Sequence, residues 1–442
     1  MNTPSIGDIL YFIITMISTI KEGLASMMKE LFEKALGIGK PWFIDNLKFD
    51  VKQRQLDIYI NFEAGSKFKY VSEEEHISGE FGAYDTVEKT WRHLNFFQHE
   101  CYLHCRVPRV KPEDGKIRQV DVPWGGRSNG FTLLFEALLM QLCSEMPVNA
   151  VSRLTNADDN KIWRMLECYV DAARTHEDFS GMTKIGLDET SNRKNHDYVT
   201  VFVDMEKHKT VFVTEGKDNT TLERFVEDLE GHGGKRENIT DASCDMSPAF
   251  IKGIGENIKN AKITFDKFHL VKTINDAVGD VRKAEAKENE LLKGTKHIFD
   301  KNRANMTDAQ LKYLMEKLEL KGLNLKTVRA FHLRESFQEI YKSETRDLFI
   351  TRLNKWYSWA MRCRLEPMKE AAKTIKRHWD GVIRWYDSRI NNGILEGINS
   401  LIQSAKSKAR GFKTFKCFKI VIYLVTGDLD FTKVNASYEP LT

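Results

Sequence analysis

The chain has 442 residues, 41% of them apolar and 29% charged, which describes a globular protein with material for two or three cores rather than one ordinary domain. A net charge of +4 is weak evidence for a nucleic-acid partner, but its distribution says more: six Lys or Arg and no acid lie between Lys406 and Lys419, while acids gather at Glu73–Glu75 and Asp218–Glu230. The seven cysteines follow no disulfide-like spacing, which excludes a disulfide scaffold and suggests a reducing compartment.

Residues 1–47 read as a helical segment. The apolar run Ile9 to Ile20 is too short for a bilayer, which needs about 20 residues, and it lacks the basic leader of a signal peptide. It reads as the start of a buried helix continuing through Met27 and Leu31. A β-rich domain is expected over 48–128, from runs such as LDIYINF at Leu56 and CYLHCRVPRV at Cys101. Over 129–178 the helix FTLLFEALLMQLCSEM precedes PVNAVSRLTNADDNKIWRMLECYV, whose halves straddle a polar break at Thr155 to Asp159. Two short helices across a tight turn fit a helix-turn-helix, with Arg153 and Lys161 as candidate DNA contacts. An ordinary pair of packed helices fits the same pattern equally well.

From Met182 the texture changes. KIGLDET, YVTVFVDM and TVFVTEGK are three successive strands, followed by a helix from Thr220, a strand ending ASCDMS, a second helix, the strand AKITFDKFH and a long helix from Leu270. The order β-β-β-α-β-α-β-α is a meander followed by crossovers, so the fold class is α/β with a mixed five-stranded sheet. Residues 179–284 form its first part, 285–389 an all-helical insertion, and 390–442 its second part. Within the insertion, Trp356 and Trp359 are candidates to stack on an unpaired base or, more commonly for such residues, to fill a helical core.

Placing the first and fourth strands side by side brings Asp188 and Asp245 to one end of the sheet. Glu396 opens the helix NNGILEGINSLIQSAKSKARGF. At about 100° per residue, Asn392, Glu396, Asn399, Gln403, Lys406 and Arg410 share one face, while Leu395, Ile398, Leu401, Ile402, Ala405 and Ala409 take the other. Gly411 sits where the helix should end. A face that begins in a carboxylate and ends in cations suits a helix holding a divalent metal at one end and phosphates at the other. Three carboxylates around one cleft can hold two Mg²⁺ (or Mn²⁺) ions about 3.5–4 Å apart. Among 63 acidic residues some such triple arises by chance, and Glu189, Asp197, Asp204 and Asp241 are rivals nearby.

The segments IGLDETSNRKNHDYVTVFVD, SCDMSPAF, ITFDKFHLVKTIND and NNGILEGINSLIQSAKSKARGFK closely resemble the ISL-three family of bacterial insertion-sequence transposases. TWRHLNFFQHECYLHCRVPRV, VPWGGRSNGFTLLFEAL and LEPMKEAAKTIKRHWDGVIRWY extend the likeness from about Lys48 to Phe431. The resemblance implies a ribonuclease H-like catalytic domain interrupted by the helical insertion, with Asp188, Asp245 and Glu396 as metal ligands. It implies Asp266 and His269, spaced D-x-x-H, as a supporting pair. It also implies double-stranded DNA as partner, cleavage and strand transfer at terminal inverted repeats, and a homodimer or larger assembly on DNA. The location implied is cytoplasmic and nucleoid-associated, in a bacterium. Asn399, Gln403, Lys406, Lys408, Arg410 and Lys413 are then expected to contact DNA. One departure stands out: the family's N-terminal zinc finger has lost its ligands, since FKYVSEEEHISGEFGAYD and PRVKPEDGKIRQV contain no Cys and the latter no His. A zinc-free domain is expected, with Cys101 and Cys105 buried as small hydrophobes. The alternative function is a repurposed or inactive transposase that only binds DNA; a nuclease acting on branched DNA or RNA–DNA hybrids is a more distant one.

Overall fold

The computed structural model describes residues 23–72, 75–128, 130–191, 198–319, 323–388, 390 and 393–435. The run Ile9 to Ile20, Asp197 and Asn392 lie outside them. The chain divides into two compact units, Met1–His176 with Asp430–Thr442, and Glu177–Leu429. The tail from Asp430 thus joins the first unit, not the sheet domain expected to run to 442.

In the first unit, α1 (23–36) is followed directly by β1 (Trp42–Asp50), so strand structure begins earlier than the expected boundary at 48. Strands β2 (Gln55–Phe62), β3 (Lys67–Ser72), β4 (Ile77–Gly82), β5 (Asp85–Phe96), β6 (His99–Val110) and β7 (Arg118–Gln119) follow. The main sheet runs β1-β2-β6-β5, with β7 on the end of β6, and β3-β4 form a separate hairpin. Alternation along β6 turns Cys101, Leu103, Cys105 and Val107 inward onto Trp42, Trp91 and Trp124. Helices α2 (Leu133–Glu145), α3 (Val148–Thr155) and α4 (Asp159–Arg174) complete the unit. Asn156 adopts φ +53° to end α3, and the Asp158 carboxylate accepts the Lys161 N–H at 3.0 Å to start α4. The stripe Ile162, Met165, Leu166, Tyr169, Val170 and Ala173 is buried.

Buried Glu136 of α2 ties this unit together. Its carboxylate accepts the backbone N–H groups of Arg127 and Ser128, the Ser128 hydroxyl and the Tyr169 hydroxyl. Asn435 of the returning tail donates to Tyr169 Oη at 2.9 Å and to the Leu133 carbonyl at 3.0 Å.

The second unit holds a mixed sheet ordered β10-β9-β8-β11-β12, from β8 (Lys184–Ser191), β9 (Tyr198–Asp204), β10 (Lys209–Glu215), β11 (Asp241–Cys244) and β12 (Lys262–Phe265). The first three are antiparallel neighbours, and β8-β11-β12 are parallel. Helices α5 (Thr220–Gly231), α6 (Pro248–Asn257) and α7 (Lys267–Glu285) make the crossovers and their exit. Between α7 and the last helices come α8 (Lys296–Phe299), α9 (Asp308–Tyr313), α10 (Lys326–Ile340), α11 (Arg346–Arg362), α12 (Glu366–Arg377) and α13 (Trp379–Ser388), with no strand among the described residues. One continuous core joins Phe202, Phe225 and Phe250 around the sheet to Phe331, Phe337 and Trp356 in the insertion. Helix α14 (Gly393–Ala409) then lies against β8, and α15 (Phe415–Thr426) against β10. Among the described residues no helix is long and apolar enough to cross a membrane.

Candidate active site

The site begins with the pairing of β8 and β11. Their register sets Lys184 against Asp241, Ile185 against Ala242 and Gly186 against Ser243. Carried two residues further, the same offset puts Asp245 beside Asp188, at the end of the sheet where both parallel strands finish. Asp245 accepts the Ser247 N–H at 2.9 Å, and Asp188 accepts the Glu189 N–H at 2.8 Å. Each carboxylate is thus fixed by a local backbone donor.

Helix α14 grips β8 residue by residue. Leu395 packs on Gly186, where a Cβ would meet Met205 Sδ at 2.5 Å and Leu395 Cδ2 at 2.8 Å. Asn399 Nδ2 donates to Asp188 Oδ2, and Gln403 Nε2 donates to Thr190 Oγ1 at 2.6 Å. Lys406 Nζ reaches the Ser191 carbonyl and, at 3.2 Å, its hydroxyl. The match is geometric: four helical residues rise about 6 Å, close to the roughly 6.6 Å of two strand residues. Positions 186, 188 and 190 all face the helix because strand side chains alternate. Glu396 sits one turn before Asn399 on this helix, exposed, and lines a cleft of about 560 Å³ with Asp266, Lys267 and Phe268.

Electrostatics join the acids. Burial pushes the Asp188 carboxyl up to about 6; the Glu189 N–H and the His269 charge pull it back, while Asp266 and Asp245 add to the rise. Glu189 is also raised, first by burial and then by Asp245. Asp266, buried at the start of α7, accepts the Phe268 N–H at 2.7 Å and pairs with His269 Nδ1 at 3.0 Å. That bond to Asp266 raises His269 above the ordinary imidazole range, and the Asp188 and Asp245 charges act the same way. Like charges held together in a half-buried pocket, with one imidazole opposing them, suit a bound divalent cation. Among the described residues, however, no three His, Cys, Asp or Glu side chains stand close enough to share one ion.

The rival acids have other work. Asp241 is clamped by Arg384 at 2.7 Å, and Asp204 accepts the N–H groups of Glu206 and Lys207 in a turn. Glu189 remains a neighbour of the cluster, with Lys217 close by. Sequence reasoning missed Thr190 and Ser191, which receive Gln403 and Lys406; the polar spacing of α14 held that signal.

Several expectations are corrected. Trp356 is 2% exposed and donates Nε1–H to the Leu333 carbonyl at 2.8 Å beside Phe337, so it is a core residue and presents no face to DNA. Trp359, 44% exposed, lies on the surface. Asn399, Gln403 and Lys406 direct their donors to β8, because the polar face of α14 lies over this central strand of the sheet. Leu401, expected on the apolar face, is exposed, and Leu395, Ile398 and Ile402 alone carry the packing stripe. Met27 and Leu31, expected in a buried helix, are also exposed. Lys408, Arg410 and Lys413 are exposed at the helix end, as are Arg153 and Lys161 in the first unit. Arg410 takes φ +58° and Gly411 donates to the Lys406 carbonyl at 3.0 Å, so the left-handed capping residue is an arginine one position before the glycine. Burial pushes the Cys101 and Cys105 thiols up to about 12, away from the thiolate that zinc requires.

Comparison with known proteins fits this arrangement. Residues 185–422 match a family model described as a transposase, and residues 120–170 match the helix-turn-helix domain of transposase family ISL3. The chain is 26% identical over 364 residues to the transposase for insertion sequence element IS1557 of Mycobacterium tuberculosis, covering 74% of this chain and 79% of that one. It is 24% identical over 350 residues to the transposase for insertion sequence element IS1001 of Bordetella parapertussis, covering 77% and 84% respectively. The first match alone takes in more than half of the chain, which therefore belongs to the ISL3 family of transposases.

Proposed function

We propose that this chain binds the terminal inverted repeats of a bacterial insertion sequence, cuts DNA at the element ends and joins the 3′-hydroxyls to target DNA. The observation that carries the reading is the meeting of Asp188 and Asp245 at the ends of parallel neighbours, under the helix that bears Glu396. We read the β10-β9-β8-β11-β12 sheet as ribonuclease H-like, because its antiparallel meander followed by parallel crossovers is the order that fold uses.

Asp188, Asp245 and Glu396 would hold two Mg²⁺ or Mn²⁺ ions. Such ions, when bound, activate the attacking oxygen and stabilise the leaving oxygen of an in-line phosphodiester displacement. The protein's own contribution is positional. Asn399 fixes the Asp188 carboxylate, and the Asp266–His269 pair places an imidazole beside the cluster, where it can orient Asp245 or meet a phosphate oxygen. Lys408, Arg410 and Lys413 extend from the same helix end as phosphate contacts, with Arg153 and Lys161 in the helix-turn-helix and Trp359 as a stacking surface. Working on two ends implies at least a homodimer on DNA, in the cytoplasm beside the nucleoid. The β domain is read as zinc-free, and stoichiometric zinc by elemental analysis of purified protein would refute that.

The test is Mg²⁺-dependent cleavage of a DNA carrying the element's ends. Product in wild type and none in Asp188→Ala, with end binding retained in both, supports the reading. A second reading, a DNA-binding protein without chemistry, draws on the lack, among the described residues, of three acids or imidazoles close enough to share one ion. Binding without metal-dependent nicking would favour it.

A further inference from the structure

The turn of the helix-turn-helix is fastened to one end of the β-domain sheet. Asn156, which ends α3, donates Nδ2–H to the Glu100 carboxylate at the start of β6, and Arg92 of β5 reaches the neighbouring Thr155 carbonyl at 3.5 Å. Glu100 donates its own N–H to the Arg54 carbonyl at 2.9 Å. The β1–β2 and β5–β6 turns therefore stand beside the turn that starts α4. In a helix-turn-helix the N-terminal residues of the second helix meet base edges in the major groove, so these two turns flank the same duplex.

What they present suits that neighbour. In the β5–β6 turn Phe97 is 85% exposed, more than any other large apolar side chain among the described residues. Its φ is +53°, a left-handed conformation that glycine or asparagine takes at less cost and a bulky residue rarely adopts. Folding alone favours neither that residue nor its exposure, so the position is suited to contact rather than to stability. Behind it the Phe96 ring lies 4.8 Å away, itself backed by Phe32 at 5.5 Å and Phe49 at 6.4 Å. In the β1–β2 turn, Lys52 and Arg54 are exposed and form no ion pair among the described residues. The acids nearby are engaged: Asp50 accepts the Lys52 and Gln53 N–H groups at 2.9 Å, and Glu100 accepts from Asn156 and Tyr102. A projecting aromatic ring beside unopposed cations is complementary to a nucleic acid, with phosphates for the cations and a base face for the ring. A purely apolar partner would leave the cations without a role.

We infer that the β5–β6 turn is a second DNA contact of the first unit: Phe97 enters the minor groove beside the helix-turn-helix site and wedges open one base step, while Lys52 and Arg54 hold the flanking phosphates. The inference rests on the DNA-binding reading above and adds a source of sequence preference, because pyrimidine–purine steps unstack most readily. The test is binding of the full chain, without metal, to a duplex carrying one terminal inverted repeat, with a fluorescent adenine analogue placed at successive positions. Wild type should raise the fluorescence at one step beside the helix-turn-helix footprint. Phe97→Asn should lose that rise and bind about 10-fold more weakly, with an unchanged or higher melting temperature, and Phe97→Trp should retain both rise and affinity. Lys52→Ala/Arg54→Ala should keep the rise and lower the salt slope by about two. Val71→Ala, exposed on the separate β3–β4 hairpin, should match wild type.

Wild-type affinity and fluorescence in Phe97→Asn would overturn the inference and leave the DNA-binding reading intact. Unchanged DNA binding with a loss of self-association in that variant would also overturn it, and would make the tip a protein contact. A wild type that binds no repeat at all would refute both.

Discussion

At the scale of single residues, the proposed chemistry rests first on Asp188. Its raised carboxyl, its neighbour Asp245 and its amide partner Asn399 make it the side chain whose loss should matter most. Asp188→Asn should reduce strand transfer below detection, while affinity for end DNA in a mobility-shift assay stays within about twofold, since phosphate contacts set affinity. Arg410 offers the converse case. Its φ of +58° suits glycine, so Arg410→Gly should hold or raise stability by up to about 1 kcal/mol in chemical denaturation. The same change should weaken DNA binding and lower its salt slope by about one, if the guanidinium meets a phosphate.

His93 titrates for a different reason. It is buried against Thr132 Oγ1 at 2.8 Å, and burial, helped by the Arg92 charge, drives it down to about 4. The folded state therefore refuses a proton that the unfolded chain accepts near pH 6.5. Stability is full above that pH and falls as the pH drops toward 4, by about 2 kcal/mol at pH 5. Urea midpoints at pH 7 and pH 5 check this, and His93→Gln should remove most of the difference.

Among elements, α14 decides how the site is held. Its pairing with β8 was half legible in the sequence. The amphipathic spacing gave the helix, its polar stripe and its cationic end, but read that stripe as a DNA-facing surface. Periodicity cannot tell a face that meets water from one that meets the polar end of a strand, because Thr190 and Ser191 satisfy the same donors that water would. Trp356 and Trp359 show the same limit. They lie three residues apart, and only the packing of α10 against α11 decides that one is core and the other surface. The β-strands of the second unit were readable in kind and order because each is a short apolar run between turns. The return of residues 431–435 to the first unit was not, since Asn435 bonding to Tyr169 is a long-range event with no local pattern.

Two substitutions probe the α14 ladder. Asn399→Ala should leave the melt within about 1 kcal/mol of wild type but cut turnover about 10- to 100-fold, as expected for a group that orients a ligand. Gly186→Val should act on the fold instead: the added carbons meet Met205 and Leu395, costing about 1–3 kcal/mol and displacing the helix. If Asn399→Ala proved catalytically silent, the bond to Asp188 would have no role in holding the site.

For the whole molecule, the division of labour follows from where charge and carboxylates lie. The first unit carries the helix-turn-helix with exposed Arg153 and Lys161; the second carries the acids and the cationic end of α14. Cleavage and binding should therefore separate by mutation. Everything turns on Glu396 joining Asp188 and Asp245 around the same ions. The most direct measurement is Mn²⁺ binding to the full chain by isothermal calorimetry in the presence of end DNA, for wild type and Glu396→Gln. Two Mn²⁺ per protomer in wild type, falling to one or none in the variant with cleavage lost, is the predicted result. Unchanged Mn²⁺ stoichiometry and full cleavage in Glu396→Gln would contradict the account.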